Sequence, residues 1–377
     1  MITCHVCGRE VPGGEFCGAC GAHLPSETKV AARRWHAYAA DPSEHVLQFN
    51  VISTLLPHLP HRRSAPFRIA LLLTAVLLVA LGLLRLTGAA VATAALAVPC
   101  LYLLYLYEVE VYEDEPVWVL GWTLLLGSVL GIGWAFLSGP LVTQTLILNV
   151  SQGPNLGAVI LAGVVVPLVA QLLMLGGALA IYVTRPRFKE ALDGFTFGAA
   201  GALAFTFWTT VINLFPELRD GLISQTPPLA NALEIVQRGL LIPLLNASTT
   251  GLIAASLWAH RKPVPRAAHW SSWRKTSVVI AAALQVGLGL LSILVQNPGF
   301  TFAIYLLSVA GLLLWVRIAL HYMLLAEAVS VEIGPDLPCS HCHHVVPRMA
   351  FCPHCGIATR ATPKRSSEGL ARTVEAN

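Results

Sequence analysis

Gly157 to Phe215 holds two apolar segments joined by a short basic loop. The first carries Pro167-Leu168-Val169-Ala170-Gln171-Leu172-Leu173-Met174, the loop carries Arg185, Arg187 and Lys189, and the second opens with Asp193-Gly194-Phe195-Thr196-Phe197-Gly198. Each segment reaches the roughly 20 apolar residues that a helix needs to cross a bilayer. Two such helices joined by cations read as a membrane hairpin whose loop stays on the cytoplasmic side. Any chemistry in that core depends on the polar side chains it contains, and this stretch offers almost none.

The surrounding chain has the same character. Of its 377 residues, 55% are apolar and 12% charged, about half the charge density of an average soluble protein. The mean hydropathy is +0.67. The net charge of +4 comes from basic residues that flank apolar runs, so it is a topology signal and gives no face suited to nucleic acid.

About eight spans are expected: Phe67 to Leu86, Ala89 to Tyr107, Val117 to Leu137, Gly157 to Val183, Phe195 to Phe215, Leu240 to Ala259, Val278 to Gln296 and Phe300 to Leu325. Arg185, Arg187 and Lys189, then Arg261, Lys262, Arg266, Arg274 and Lys275, lie in loops on one side, and little beyond Arg85 and Arg219 on the other. The fold class expected is therefore an all-α polytopic membrane protein in the cell membrane. Both termini are placed in the cytoplasm, and the abundance of alanine and the scarcity of lysine point to a bacterial source. One loop breaks the basic rule, with Glu108, Glu110, Glu113, Asp114 and Glu115 between the second and third spans. Acidic residues weigh little in topology, so the cluster reads as a solvated loop, with cation or partner binding as the alternative.

Eight of the nine cysteines form two clusters at opposite ends. Cys4-His5-Val6-Cys7 and Cys17-Gly18-Ala19-Cys20 recur as Cys339-Ser340-His341-Cys342 and Cys352-Pro353-His354-Cys355, with the same nine-residue interval. Paired C-x-x-C units in a reducing compartment are the pattern of structural zinc, and disulfides are the weaker reading. Four thiolates close a tetrahedral site and leave no position for a catalytic water. Two zinc ions are expected, with His341, His343, His344 and His354 as bystanders. Cys100, the ninth, reads as a small buried apolar residue.

Domain limits follow: an N-terminal zinc ribbon over 1–24, a linker over 25–66, the transmembrane domain over 67–329, a second ribbon over 330–358 and a disordered tail over 359–377. Within the linker, Asp41-Pro42-Ser43-Glu44 resembles a helix start, and Val46, Phe49, Ile52 and Leu56 follow at helical spacing as an amphipathic helix. Glu234 and Arg238 are four apart and suit an interfacial ion pair. Arg317 and His321 lie near the cytoplasmic end of the last span, from which they would snorkel to the surface.

Several motifs occur in the order found in the PrsW-type membrane proteins, which are related to the glutamate-dependent CAAX-type intramembrane proteases. Glu110-Val111-Tyr112-Glu113-Asp114-Glu115-Pro116 is similar to that family's D-x-Y-E-P-E-P segment. Pro167 matches the proline of its P-x-x-E-E-x-x-K motif, but Ala170 and Gln171 stand at the glutamates and Met174 at the lysine. Asp193 to Gly198 resembles its Asp-Gly motif. Phe205 fits the next motif, while Thr209 and Thr210 replace its glutamate and asparagine. Asn246 with Thr250 aligns with a histidine four residues before a threonine. The resemblance covers roughly Leu101 to Trp258 and implies a protease fold.

Peptide hydrolysis in a membrane needs a water activated by a base or a metal. Gln171, Thr209 and Asn246 cannot supply that proton transfer near neutral pH. A protease-like fold without protease chemistry is therefore expected, acting as a scaffold whose ribbons contact an unidentified protein partner. Intramembrane proteolysis using Glu234, His260 or the acidic loop is the enzyme alternative, and transport is a second one.

Overall fold

The computed structural model describes residues 1–4, 7–24, 38–41, 44–49, 53–54, 65–108, 117–152, 156–186, 188, 190–220, 228–260, 272–295, 297–327, 333–339 and 341–359. Among the described residues the long helices are α1 (Ala65–Leu83), α2 (Thr87–Glu108), α3 (Val117–Gln152), α4 (Leu156–Thr184), α5 (Ala191–Asp220), α6, α7 (Ser272–Leu294) and α8 (Pro298–Glu327). Helix α6 comprises Pro228–Val236, a π-helical turn Gln237–Leu241 and Ile242–Trp258. Seven of the eight are long and apolar enough to cross a membrane, and α1 offers a shorter apolar run, Phe67–Leu83. The chain is a multi-pass membrane protein.

Helices α5 and α6 sit at the centre, with 56% and 61% of their apolar windows buried against 22% for α7. Small residues allow this. A Cβ on Gly198 of α5 would lie 2.8 Å from the Thr250 carbonyl oxygen of α6, and one on Gly131 of α3 would lie 2.6 Å from the Phe205 carbonyl oxygen of α5. Backbones that approach so closely associate through van der Waals packing, which is what holds helices together where lipid removes the hydrophobic incentive. The Asp-Gly motif is thus a packing device. Asp193 Oδ2 accepts the Glu190 N–H at 3.1 Å to cap α5, and Gly194 and Gly198 meet Ala254 and Trp258.

Two membrane helices carry a π-helical turn, Leu161–Val165 in α4 and Gln237–Leu241 in α6. Each lies just before a proline, Pro167 and Pro243, with a glycine four residues earlier, Gly163 and Gly239. A proline lacks the N–H for the i−4 carbonyl and its ring presses on that turn, so the helix widens there instead of breaking. The following segment of each helix then faces the other across the bundle.

Short antiparallel pairs build the ribbons: β1 (Ile2–Thr3) with β2 (Glu10–Val11), and β3 (Asp336–Pro338) with β4 (Val345–Pro347). The ribbons pack on each other reciprocally. Phe16 N–H donates to the Pro353 carbonyl and Phe351 N–H to the Gly18 carbonyl, both at 2.9 Å. Phe16 and Phe351 hold equivalent positions, as do Gly18 and Pro353, so the contact is a pseudo-two-fold one.

Three expectations are corrected. Glu44 to Phe49 are not helical, and Asp41 bridges back to Tyr38; Ser53 and Thr54 are helical, and Ile52 and Leu56 lie outside the described residues. The His45 and Val46 carbonyls are drawn to a buried cation, described below. Arg317 and His321 do not snorkel: they are 0% and 5% exposed, because this segment covers them. Cys100 faces outward from α2, whose packed face holds Ala90, Val91, Ala94 and Leu106. The acidic residues from Glu110 to Glu115, together with Arg187, Lys189, Arg261, Lys262, Arg266 and the tail from 360 onward, lie outside the described residues.

Candidate functional site

The residues after Pro167 and Pro243 meet on the bundle axis. Gln171 Nε2 donates to Thr250 Oγ1 at 2.8 Å, and its Oε1 accepts from Thr249 Oγ1 at 3.1 Å and from Gln285 Nε2 at 3.0 Å. Gln285 Nε2 also lies 3.0 Å from Asn246 Oδ1, and Asn246 Nδ2 donates to Thr206 Oγ1 at 3.0 Å. Four helices, α4, α5, α6 and α7, are thereby tied by one network. Gln171, Thr206, Thr249 and Thr250 are all buried, at 0–4% exposure.

This junction gathers the positions that the motifs singled out. Gln171 and Asn246 flank Gln285 within it, and Thr250 Oγ1 lies 3.9 Å from Met174 Sδ. Ala170 packs beside Met174, Ala202 and Phe205. Thr209 turns back onto its own helix, its Oγ1 donating to the Thr206 carbonyl at 2.9 Å. Gln285 is a member that sequence reasoning missed. The sequence places it in the middle of an apolar span, and a buried amide in such a span is itself the signal.

Chemically the network consists of amides and hydroxyls bonded to one another. None of these groups is a carboxylate or an imidazole, so none exchanges a proton readily near neutral pH. Catalytic zinc is held by histidine, carboxylate or thiolate, and this donor set does not fit such an ion. What the arrangement does accomplish is cohesion, since each interhelical bond of this kind contributes roughly 0.6–2 kcal/mol.

Glu234 and Arg238 form an i,i+4 pair at 3.2 Å, with side chains 32% and 43% exposed, at the opening of α6. His260 follows the other end of that helix, where its Nδ1 lies 3.3 Å from Arg274 Nη1. Glu234 and His260 are 26 positions apart, about 39 Å at 1.5 Å per residue. They cannot share a site.

In the ribbons, each set of four sulfurs, Cys4, Cys7, Cys17 and Cys20, and Cys339, Cys342, Cys352 and Cys355, lies within 4.8 Å. Cys4–Cys20, Cys7–Cys17 and Cys342–Cys352 are 3.8 Å apart and Cys339–Cys355 is 4.0 Å. A regular tetrahedron with metal–sulfur bonds of about 2.3 Å has sulfur edges of about 3.8 Å. Both groups could therefore hold a metal ion. The crowded thiols also favour ionisation of part of each set: the hydrogen bond from Cys20 holds Cys17 down to about 5, and those from Cys352 and Cys355 hold Cys339 down to about 3.

A third polar centre links ribbons and membrane helices. The Arg317 guanidinium spends all five of its N–H donors on the chain between the N-terminal ribbon and α1. Nε donates to the Val46 carbonyl at 3.0 Å, Nη1 to Ser53 Oγ at 2.6 Å and Thr54 Oγ1 at 3.3 Å, and Nη2 to Glu44 Oε2 at 2.8 Å and the His45 carbonyl at 3.0 Å. The Tyr38 ring lies 4.0 Å from its central carbon. One turn further along α8, His321 Nδ1 accepts the Ala39 N–H at 3.1 Å, and the Ala39 carbonyl accepts from Ala358 of the second ribbon at 3.0 Å.

A helical bundle joined by a buried polar junction on its axis, with four-cysteine ribbons docked at one face, defines a multi-pass membrane protein. Residues 115–316 match the model of the PrsW family intramembrane metalloprotease. This match spans more than half the chain, and the chain belongs to the PrsW family. No curated protein and no solved structure matches it.

Proposed function

We propose that this chain is a catalytically silent PrsW-family protein, serving as a membrane scaffold or adaptor whose paired ribbons contact a protein partner. One observation carries the reading. The positions at which the resemblance places the family's glutamates and histidine hold Ala170, Gln171 and Asn246, and the two amides are bonded into a network closed by Gln285. Neutral groups of this kind fit cohesion better than hydrolysis, and they avoid the several kcal/mol that an intramembrane charge costs. Proteolysis through Glu234 and His260 is opposed by their separation along α6.

Zinc is the ion we assign to the ribbons, since four thiolates with edges near 3.8 Å suit its size and softness. The location proposed is the cell membrane of a bacterium, with both ribbons in the reducing cytoplasm. Arg185, stacked 4.4 Å over Trp118, and Arg274 beside the end of α6 support that orientation.

Reconstituted protein incubated with a panel of membrane-spanning peptides tests the silence. No cleavage is expected, and cleavage abolished by Gln171→Ala or Asn246→Ala overturns the reading. Crosslinking in native membranes, with and without the ribbons, tests the adaptor role. A specific protein recovered in a ribbon-dependent way is the expected result; recovery independent of the ribbons sinks it.

A further inference from the structure

The two ribbons share one backbone design. Cys4 N–H donates to the Arg9 carbonyl at 2.9 Å and Cys339 N–H to the His344 carbonyl at 2.8 Å; Cys17 N–H donates to the Ala22 carbonyl and Cys352 N–H to that of Ile357. Gly8 has φ +70° and His343, its equivalent, φ +60°. Against this shared frame the C-terminal ribbon differs in side chains. Where the N-terminal one has Arg9 and Ala19, it has His344 and His354. Both histidines are exposed, and the first ribbon attains the same backbone without either, so the fold does not require them.

Cys342, His344 and His354 bring three ligand atoms within 4.8 Å of one another. The imidazoles are stacked, with centroids 3.6 Å apart and planes 14° apart. His344 Nδ1 lies 3.0 Å from the Cys342 carbonyl oxygen. A carbonyl only accepts, so Nδ1 carries the proton and the lone pair is on Nε2. This is the usual posture of a metal-binding histidine, whose other ring nitrogen donates to a backbone carbonyl.

We propose that the C-terminal ribbon holds a further, exchangeable metal position, in which the Cys342 thiolate bridges the ribbon's own ion to a second cation bound by His344 and His354. A thiolate keeps lone pairs after binding one ion, and with two imidazoles it makes a donor set for a borderline divalent cation such as zinc, cobalt or nickel. Three protein ligands leave a coordination position open to water or to a ligand of a partner. Nearly parallel rings do not point at one spot, so one ring turns about its Cβ–Cγ bond on binding. An exposed side chain does so in picoseconds to nanoseconds.

The inference rests on reading the four thiolates as a metal site, and the experiment separates the two. Full-length zinc-loaded protein is incubated with excess cobalt(II), desalted and analysed for total metal, beside the double variant His344→Arg/His354→Ala, which copies the N-terminal ribbon. Three ions per chain in the parent protein and two in the variant is the expected result, with the third ion removed first by a weak chelator. Two ions in both, or three in both, overturns the further site and leaves the ribbons standing. Fewer than two in the parent protein overturns the ribbon reading and this site with it.

Discussion

Arg317 of the last membrane helix and Glu44 of the chain between the N-terminal ribbon and the first helix meet at 2.8 Å, across 273 residues of sequence, with the arginine side chain wholly buried. A charge taken out of water is tolerated only when paired and hydrogen-bonded. Here five donors find five acceptors and the plane lies on Tyr38. The contact continues through His321, Ala39 and Ala358 into the C-terminal ribbon, and through Phe351 and Gly18 into the N-terminal one. Ribbons and helical bundle are therefore one connected body.

Replacing Arg317 by alanine leaves the carboxylate of Glu44 and the carbonyls of His45 and Val46 without their shared cation. Breaking a buried pair in this way costs about 3–5 kcal/mol. Arg317→Ala should expose residues 38–54 to protease and lower the thermal midpoint in detergent. Arg317→Lys, with three donors for five acceptors, should fall between. Unchanged proteolysis in the alanine variant would contradict the clamp.

Gly14 faces the second ribbon so closely that a Cβ there would lie 2.6 Å from the Pro353 carbonyl oxygen. Gly14→Ala should part the ribbons at a cost of about 1–3 kcal/mol while leaving all eight thiolates in place. The check is a crosslink between the two termini, which should weaken as the metal content stays at the parent value.

Metal removal should be cooperative. Cys17→Ser and Cys352→Ser should each lose one structural ion, and the remaining one should dissociate faster than from the parent protein, because each ribbon presents its Phe N–H and carbonyl to the other. Equal dissociation rates would show that the ribbons fold independently. Acid should release both ions, since ligation requires thiolate and protons displace the metal as pH falls.

Gln285 closes the intramembrane network, so Gln285→Leu should remove its bonds to Gln171 and Asn246 together. A loss of about 1–2 kcal/mol is expected, read as a lower midpoint in a denaturing-detergent titration. Thr209→Val, which removes only a bond to its own helix, should change stability little.

The membrane helices were legible because each carries its own signal. Apolar length is a local property and located each span, though not its ends: α3 runs on to Gln152, past Leu137, α6 begins at Pro228, well before Leu240, and α1 stops at Leu83, short of Leu86, where Arg85 turns at φ +58°. The cysteine clusters were legible for a similar reason, since ligand spacing is a property of one short segment. Glu44 to Phe49 are not helical because Val46 and Phe49 fit helical spacing by sequence alone, whereas Arg317 draws the Val46 and His45 carbonyls out of any helical ladder.

By itself the sequence determined what each segment must do to satisfy its own backbone and apolar surface: cross hydrocarbon as a helix, or gather four sulfurs closely enough that they could hold an ion. Only the tertiary structure decided which polar groups are partners. Gln171 with Gln285, and Arg317 with Glu44, are chosen by where distant helices pack, and desolvation makes those pairings obligatory once the groups are buried.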